Sequence, residues 1–397
     1  MLHLNRNRRT MLGVAAAACT TLLVSGCSNS SSGSEPATAS LEAGQLLTHS
    51  ALTTAAALPS AASTQLITYV SEGADGEPIV VSGTVAIPST PEPAGGYPVI
   101  SWAHGTSGFA DACAPSLDTV DGPVHGYFSV ATDYLDTWVA QGYAVVQTDY
   151  EGLGTPGGHT YLNGTSESNT VIDIVRAARQ LDDSLGTDWL VMGHSQGGQA
   201  TLFAAQNGPE RAPELNLKGA VAMAPGGAAI PGLIQAIAAG AQVPAVAGAF
   251  LPVIVLGAQA AVPSINPDAL LTDAAQPLLT TARTGCLAQL SAAEPVPSDQ
   301  LIRPGADLAP IVDYLKKQNP GAVTPQVPTM IAQGGEDTVV SKLEVDGVAD
   351  ELCKVVPVDY RVYPGQDHRG AITASEADTA AFVAAVMAGD EVASTCS

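Results

Sequence analysis

Three residues carry the types and the settings that nucleophilic catalysis needs: Ser195, Asp337 and His368. Ser195 stands in Gly193-His194-Ser195-Gln196-Gly197, after the strand-like run Leu190-Val191-Met192 and before a helical run from Gln199 to Asn207. A G-x-S-x-G pentapeptide in that context predicts a nucleophile elbow. The chain must turn sharply from strand to helix to lift the hydroxyl clear of its sheet, and only small residues fit on either side of the turn. The same turn presents the amide of Gln196 at the positive end of the next helix, where an oxyanion can be held.

Asp337 lies in Gly334-Gly335-Glu336-Asp337, just past the expected strand Thr329 to Ala332, and His368 lies in Gly365-Gln366-Asp367-His368, past the last expected strand. The order is therefore nucleophile, acid, histidine, each on a loop that follows a strand. His368 would take the Ser195 proton; Asp337 would hold the ring in the useful tautomer and stabilise its charged form. Glu336 and Asp367 are rival acids, but Glu336 precedes the expected turn position and Asp367 adjoins His368 in sequence. Of the other histidines, His194 is expected to brace the elbow, His125 has no partner motif, and His159 falls in a loop. His104-Gly105-Thr106 follows the strand Tyr97 to Ala103 and occupies the place of an oxyanion loop. The Thr106 amide is the expected second donor beside Gln196, with the His104 side chain pinning the loop.

Two other motifs point nowhere. Gly152-Leu153-Gly154-Thr155-Pro156-Gly157 fits G-x-G-x-x-G, but a dinucleotide site needs a helix to open there, and Gly158 to Gly164 reads as loop. Asp149 to Gly164 is expected to border the pocket instead. No cysteine stands in a C-x-x-C or Cys/His cluster, so a zinc site is not expected.

The elements that must position these residues alternate. Strands are expected at Gln65 to Val70, Ile79 to Ile87, Tyr97 to Ala103, Tyr143 to Thr148, Leu190 to Met192, Lys218 to Met223, Thr329 to Ala332 and Val355 to Tyr363. Several are the continuous apolar runs of a buried parallel sheet. Helices are expected at Val130 to Gln141, Glu167 to Leu185, Gln196 to Asn207 and Ser375 to Ala388. The alternation predicts an α/β fold with a mostly parallel central sheet and helices on both faces. It breaks between Gly226 and Asn319, and no charged residue occurs from Gly219 to Pro267. Pro231, Pro244 and Pro252, with repeated Gly and Gln, rule against a membrane span there. An inserted helical cap over the site is expected, with Ile234 and Leu251 on its acyl-facing side.

The first 26 residues read as an address: Arg6, Arg8 and Arg9 precede an apolar stretch from Met11 to Val24. Val24-Ser25-Gly26-Cys27 resembles a bacterial lipobox, which would make Cys27 lipidated and anchor the chain to a membrane; ordinary secretion with cleavage nearby, or an uncleaved anchor, are the alternatives. Residues 27–60 are expected to be a flexible tether, residues 61–225 and 320–397 the two parts of the catalytic core, and residues 226–319 the cap. The formal net charge is −23, and −26 without the three leader arginines, which excludes nucleic acid as a natural partner. Outside the leader and lipobox, Cys113, Cys286, Cys353 and Cys396 form an even set, read as two disulfides with three possible connectivities.

Taken together, the His104-Gly105-Thr106, Asp149-Tyr150-Glu151-Gly152-Leu153-Gly154, Gly193 to Gly198, Gly335-Glu336-Asp337 and Gly365 to His368 motifs resemble the secretory lipase family of α/β-hydrolases. The resemblance runs from about Ser60 to the C-terminus. It implies the α/β-hydrolase fold, the triad Ser195, Asp337 and His368, and the pairings Cys113 with Cys286 and Cys353 with Cys396. The expected activity is hydrolysis of lipid or medium-to-long acyl esters through an acyl-enzyme, without cofactor, by an exported protein. An acyltransferase or a serine peptidase would use the same triad, the acceptor and the scissile bond telling them apart. A non-catalytic binding lipoprotein is the reading from another class, and ordered retention of all three triad residues weighs against it.

Overall fold

The computed structural model describes residues 41–396. The leader, Cys27 and the first part of the expected tether lie outside the described residues. Among the described residues nine strands form one sheet, in the order β1-β2-β3-β5-β4-β6-β7-β8-β9. They span Leu46–Ala51 (β1), Ala61–Glu72 (β2), Pro78–Pro88 (β3), Tyr97–Ala103 (β4), Ala144–Thr148 (β5), Leu185–His194 (β6), Asn216–Met223 (β7), Thr329–Gly334 (β8) and Val358–Tyr363 (β9). β1, β2, β3 and β5 pair antiparallel in succession, while β5, β4, β6, β7, β8 and β9 pair parallel. Several of the parallel strands are the apolar runs of the sequence, whereas β9 carries Asp359 and Arg361 and is only partly buried. Every residue of β5 and β8 is buried, as a sheet covered on both faces requires.

Side chains leave alternate strand positions toward opposite faces, and the helices divide accordingly. On one face Ile100, Trp102, Val145, Leu190, Met192, Val221 and Met223 pack with α1 (His125–Ala140) and a C-terminal helix whose Phe382, Val383 and Val386 point inward. On the other, Val99, Val146, Trp189, Val191 and Ala220 pack with α2 (Gly164–Leu181) and α3 (Gln196–Arg211). This is the α/β-hydrolase architecture.

Between β7 and β8 the chain is helical. Six helices, α4 (Ile230–Ala238), α5 (Ala245–Ala261), α6 (Pro267–Leu270), α7 (Gln276–Thr284), α8 (Leu287–Ala292) and α9 (Ala309–Lys316), enclose a separate apolar core. Ile234 and Leu251 belong to that core, at 1% exposure each. After β8 come α10 (Lys342–Cys353), α11 (Gly370–Ala374) and α12 (Glu376–Ala388). Among the described residues no helix is long and apolar enough to cross a membrane.

One boundary has to be moved. The tether expected up to residue 60 gives way at Leu46 to β1, which pairs with β2 from Leu46↔Tyr69 to Ala51↔Gln65. β1 is an edge strand with five of its six residues exposed, so main-chain hydrogen bonds hold it and no apolar alternation announces it. Among the described residues two disulfides close loops: Cys113 to Cys286, with Cα atoms 5.5 Å apart, and Cys353 to Cys396, at 5.4 Å. The first fastens the loop after β4 to the segment between α7 and α8. The second fastens the end of α10 to the C-terminal tail, where the Thr395 amide also donates to the Val358 carbonyl at 2.9 Å.

Candidate active site

β6 delivers Ser195 into a turn with φ 61° and ψ −117°, left-handed geometry that a serine adopts only under constraint. Three main-chain bonds supply the constraint. The Ser195 amide donates to Met223 O at 2.8 Å, and the Ser195 carbonyl accepts from Gln199 N at 3.1 Å and Gly226 N at 3.2 Å. The flanking glycines are there because nothing larger fits. A Cβ on Gly197 would lie 1.8 Å from the Ala103 carbonyl oxygen, and one on Gly193 would lie 2.3 Å from that of Gly197. Gln196 opens α3, so its amide has no intrahelical acceptor.

His368 Nε2 lies 2.9 Å from Ser195 Oγ, and His368 Nδ1 lies 2.7 Å from Asp337 Oδ2. A carboxylate at Nδ1 can only accept, which puts the hydrogen on Nδ1 and leaves the Nε2 lone pair facing the serine hydroxyl. Asp337 is itself held from below: its Oδ1 accepts from Val339 N at 2.8 Å and Val340 N at 2.9 Å, and its Oδ2 accepts from Gln333 Nε2 at 3.3 Å. The rival acids are elsewhere. Glu336 is exposed, and Asp367 Oδ1 accepts from the Gly370 amide at 2.8 Å.

His194 does more than fill the variable place of the elbow. Its Nε2–H donates to the His368 carbonyl at 2.8 Å, and its Nδ1 accepts from the Tyr127 hydroxyl at 3.0 Å. Tyr127 accepts in turn from the Gly105 amide at 2.7 Å. Burial drives the His194 pKa well below its ordinary value, with the neighbouring His368 adding to the shift. The ring is therefore neutral and has one hydrogen to give, as this chain of bonds requires. The chain links the loop carrying Thr106, the elbow and the loop carrying His368. Tyr127 is absent from the sequence-based set because the helix is expected to start at Val130; α1 in fact opens at His125.

His104 is buried and neutral, its pKa lowered to about 4 by burial, and its Nδ1–H donates to the Gly105 carbonyl at 2.8 Å. It stacks on Tyr150 with ring centroids 4.2 Å apart, and Tyr150 Oη donates to the His104 carbonyl at 2.9 Å. The His104 side chain thus shapes the loop and does not face the serine. Thr106 Oγ1 bonds Tyr161 Oη at 2.8 Å. His125 bonds Asp118 Oδ2 at 2.7 Å. The glycine-rich stretch after β5 is a loop, with α2 beginning only at Gly164. Among the described residues no group of three or more His, Cys, Asp or Glu side chains is gathered as metal ligands would be.

Two cavities meet at Ser195. The larger, about 660 Å³, runs along the histidine side and is lined by Thr106, Tyr127, His194, His368 and Arg369, with Phe250 from α5. The smaller, about 330 Å³, runs along the elbow side between Gln196, Tyr161 and Leu162 and the apolar residues Leu233, Phe250, Ile254 and Val340. Ile234 and Leu251, expected to face an acyl chain, line neither cavity. Each is one position from a residue that does, because on a helix neighbouring positions point about 100° apart.

Comparison with known proteins gives this geometry a family. A family model described as Secretory lipase matches residues 128–394. A curated relative, Lipase A of Moesziomyces aphidis, is 30% identical over 165 residues; the match takes in 40% of this chain and 34% of that protein, about a third of its length. Among solved structures, Candida antarctica lipase A superposes with a TM-score of 0.76 at 22% identity, covering 89% of this chain and 84% of its own. The rice cell wall degrading esterase LipA of Xanthomonas oryzae superposes with a TM-score of 0.68 at 20% identity, over 88% of this chain and 100% of its own. At such identities the structural likeness speaks for the fold, and the family match, which spans the elbow, both later loops and the inserted helices, establishes that this chain belongs to the secretory lipase family.

Proposed function

We propose that this protein is a serine carboxylic-ester hydrolase that cleaves medium-to-long acyl esters through an acyl-enzyme. The observation that carries the proposal is the unbroken contact from Ser195 Oγ to His368 Nε2 (2.9 Å) and from His368 Nδ1 to Asp337 Oδ2 (2.7 Å), placed where two cavities meet. His368 takes the hydroxyl proton as Ser195 Oγ bonds the acyl carbon, and Asp337 stabilises the imidazolium that results. The amides of Gln196 and Thr106 hold the oxyanion. His368 returns the proton to the departing alkoxide as the C–O bond breaks, and then activates a water that hydrolyses the acyl-enzyme.

The proton has to be returned at His368 Nε2, so the leaving alcohol lies on the histidine side, in the larger cavity. That leaves the smaller, mostly apolar cavity to the acyl chain. The helical segment from α4 to α9 acts as the cap that supplies its wall through Leu233, Phe250 and Ile254. The decisive experiment is a p-nitrophenyl ester series from acetate to palmitate, run beside Ser195→Ala and fluorophosphonate labelling. Hydrolysis that survives Ser195→Ala, or a probe that fails to mark Ser195, refutes the proposal.

The family's secretory character and two intramolecular disulfides support export to an oxidising compartment. Lipid attachment at Cys27 is the proposed mode of retention there. Labelled palmitate should enter the wild-type chain and be absent from Cys27→Ser, which should leave the membrane fraction.

A further inference from the structure

Beneath the elbow lies a fully buried set of polar side chains that the triad does not use. Gln196 Nε2 sits 3.0 Å from His159 Nε2 and 2.7 Å from Glu167 Oε1. His159 and Glu167 are both at 0% exposure and Gln196 is at 2%. His159 Nδ1 faces the Glu151 carbonyl at 2.9 Å, a group that only accepts, so Nδ1 carries the ring hydrogen. Burial holds the ring neutral, its pKa lowered to about 3, and its Nε2 therefore offers a lone pair. The Gln196 amide must then point its nitrogen at that lone pair, and its second hydrogen goes to Glu167 Oε1. Reversing the amide would set oxygen against the His159 lone pair. Both amide hydrogens are committed, and the side chain has one orientation.

The partners of Gln196 are anchored in turn. Glu167 Oε1 also accepts from the Leu162 amide at 2.8 Å, and the Leu162 carbonyl accepts from Gln199 Nε2 at 3.2 Å. Leu162 is itself held at φ 60° and lines the smaller cavity. Two residues one turn apart at the start of α3 are thus tied to the same short loop. Gln196 is the residue whose main-chain amide is positioned to receive the oxyanion, and its side chain is the part of the residue the clamp grips.

We propose that His159 and Glu167 are positioning residues that clamp the Gln196 side chain and thereby fix the main-chain amide of Gln196 for the oxyanion. The inference rests on the nucleophile reading above and adds to it the residues that keep the donor aimed. Such preorganisation acts on the transition state and leaves ground-state binding nearly untouched, because the clamp touches no substrate atom.

The test compares Gln196→Ala, Glu167→Leu, the conservative Glu167→Gln and the double variant Gln196→Ala/Glu167→Leu. Rates are taken with p-nitrophenyl octanoate and normalised to the final stoichiometry of fluorophosphonate labelling, so that misfolded chains do not count. Gln196→Ala and Glu167→Leu should each lower kcat about 10- to 100-fold, part of the 10²- to 10³-fold that removal of one oxyanion donor costs, with KM within about twofold. Glu167→Gln keeps an oxygen at the Oε1 position and should recover most of that loss. The double variant should be no slower than the worse single one. The inhibition constant of phenylboronic acid, whose adduct carries an oxygen where the oxyanion forms, should rise in step with the fall in kcat. An unchanged kcat per labelled site in Gln196→Ala, or a loss confined to KM, overturns the clamp. If Glu167→Leu fails to fold, Gln196→Ala with the boronate decides alone. Activity surviving in Ser195→Ala would instead bring down the nucleophile reading, which separates the two failures.

Discussion

Leu233→Trp tests the proposed division of labour between the two cavities. Leu233 lines the smaller cavity and not the larger, so enlarging it shortens the acyl side and leaves the leaving-group side alone. Each methylene that moves from water into an apolar wall contributes up to about 0.8 kcal/mol, which is about a fourfold gain in kcat/KM. From butanoate to octanoate the chain gains four methylenes, so the wild-type ratio should reach up to about 200-fold if all four are buried. An indole in a space of about 330 Å³ should displace the far end of the chain and cut that ratio to about tenfold or less, with acetate and butanoate within about threefold of wild type. The assay is kcat/KM across p-nitrophenyl esters of even chain length, with thermal melting to exclude general loss of structure. Equal losses at every chain length would refute the assignment, since they would mean that Leu233 supports the fold and does not meet the acyl group. A loss confined to bulky alcohols would reverse the two cavities.

Three further outcomes follow from the same geometry. Asp337→Asn should lower kcat roughly 10³- to 10⁴-fold with KM little changed, because an amide at Oδ2 can donate to His368 Nδ1 and put the ring hydrogen on the nitrogen facing Ser195; steady-state kinetics checks it. Burial raises the Glu167 pKa to about 8, above its unfolded value of 4.5, so the folded state binds the proton more tightly and this group's stabilisation, complete below pH 4.5, is lost as pH rises toward 8; Glu167→Gln should flatten the melting temperature across that window and exceed wild type at its upper end. Removing Cys113 and Cys286 together, or Cys353 and Cys396 together, should cost about 2 to 4 kcal/mol by denaturant unfolding, more for the first pair, which closes 173 residues against 43.

The contacts among Ser195, His368 and Asp337 were legible because each residue is announced locally. Ser195 has glycines at two fixed offsets, and Asp337 and His368 each follow a strand-like run, with Glu336 and Asp367 as the neighbouring rivals. The bracing was not legible, because its bonds join positions far apart in the chain: Tyr127 to His194 across 67 residues, Gln196 to His159 across 37, and the His368 carbonyl to His194 across 174. No local pattern marks such pairs. In the sequence His159 is a loop histidine and Glu167 the start of a helix, and only the fold brings both, fully buried, against Gln196 at the start of α3. α10 is a different kind of omission. Val345, Val348, Ala349 and Leu352 recur at helical spacing and are all buried, so the signal is present, diluted by Gly347 and by the acidic residues on the other face. Leu233 and Phe250 against Ile234 and Leu251 show where periodicity stops: the uncharged stretch marks an apolar segment, but both its own core and the cavity are apolar, and composition cannot tell which neighbour faces which.

Backbone strain gives an independent view of where the fold is organised for chemistry. Among the described residues, four that are not glycine have positive φ: Tyr150, Leu162, Ser195 and Ala224. Each such position costs on the order of 1–3 kcal/mol, and persists only where its surroundings over-determine it. All four converge on the elbow. Tyr150 donates to the carbonyl of His104, at the foot of the loop that carries Thr106; Leu162 is gripped by Glu167 and Gln199 and lines the smaller cavity. Ala224 follows β7 and is held by its amide to Ala332, two residues before the Gly226 amide that bonds the Ser195 carbonyl. A structural turn would need only one of these. Four strained residues on four separate segments, each fixed by bonds to its neighbours around one serine, are what a preorganised site requires, because donors that are aimed before the substrate arrives need not reorganise as charge develops.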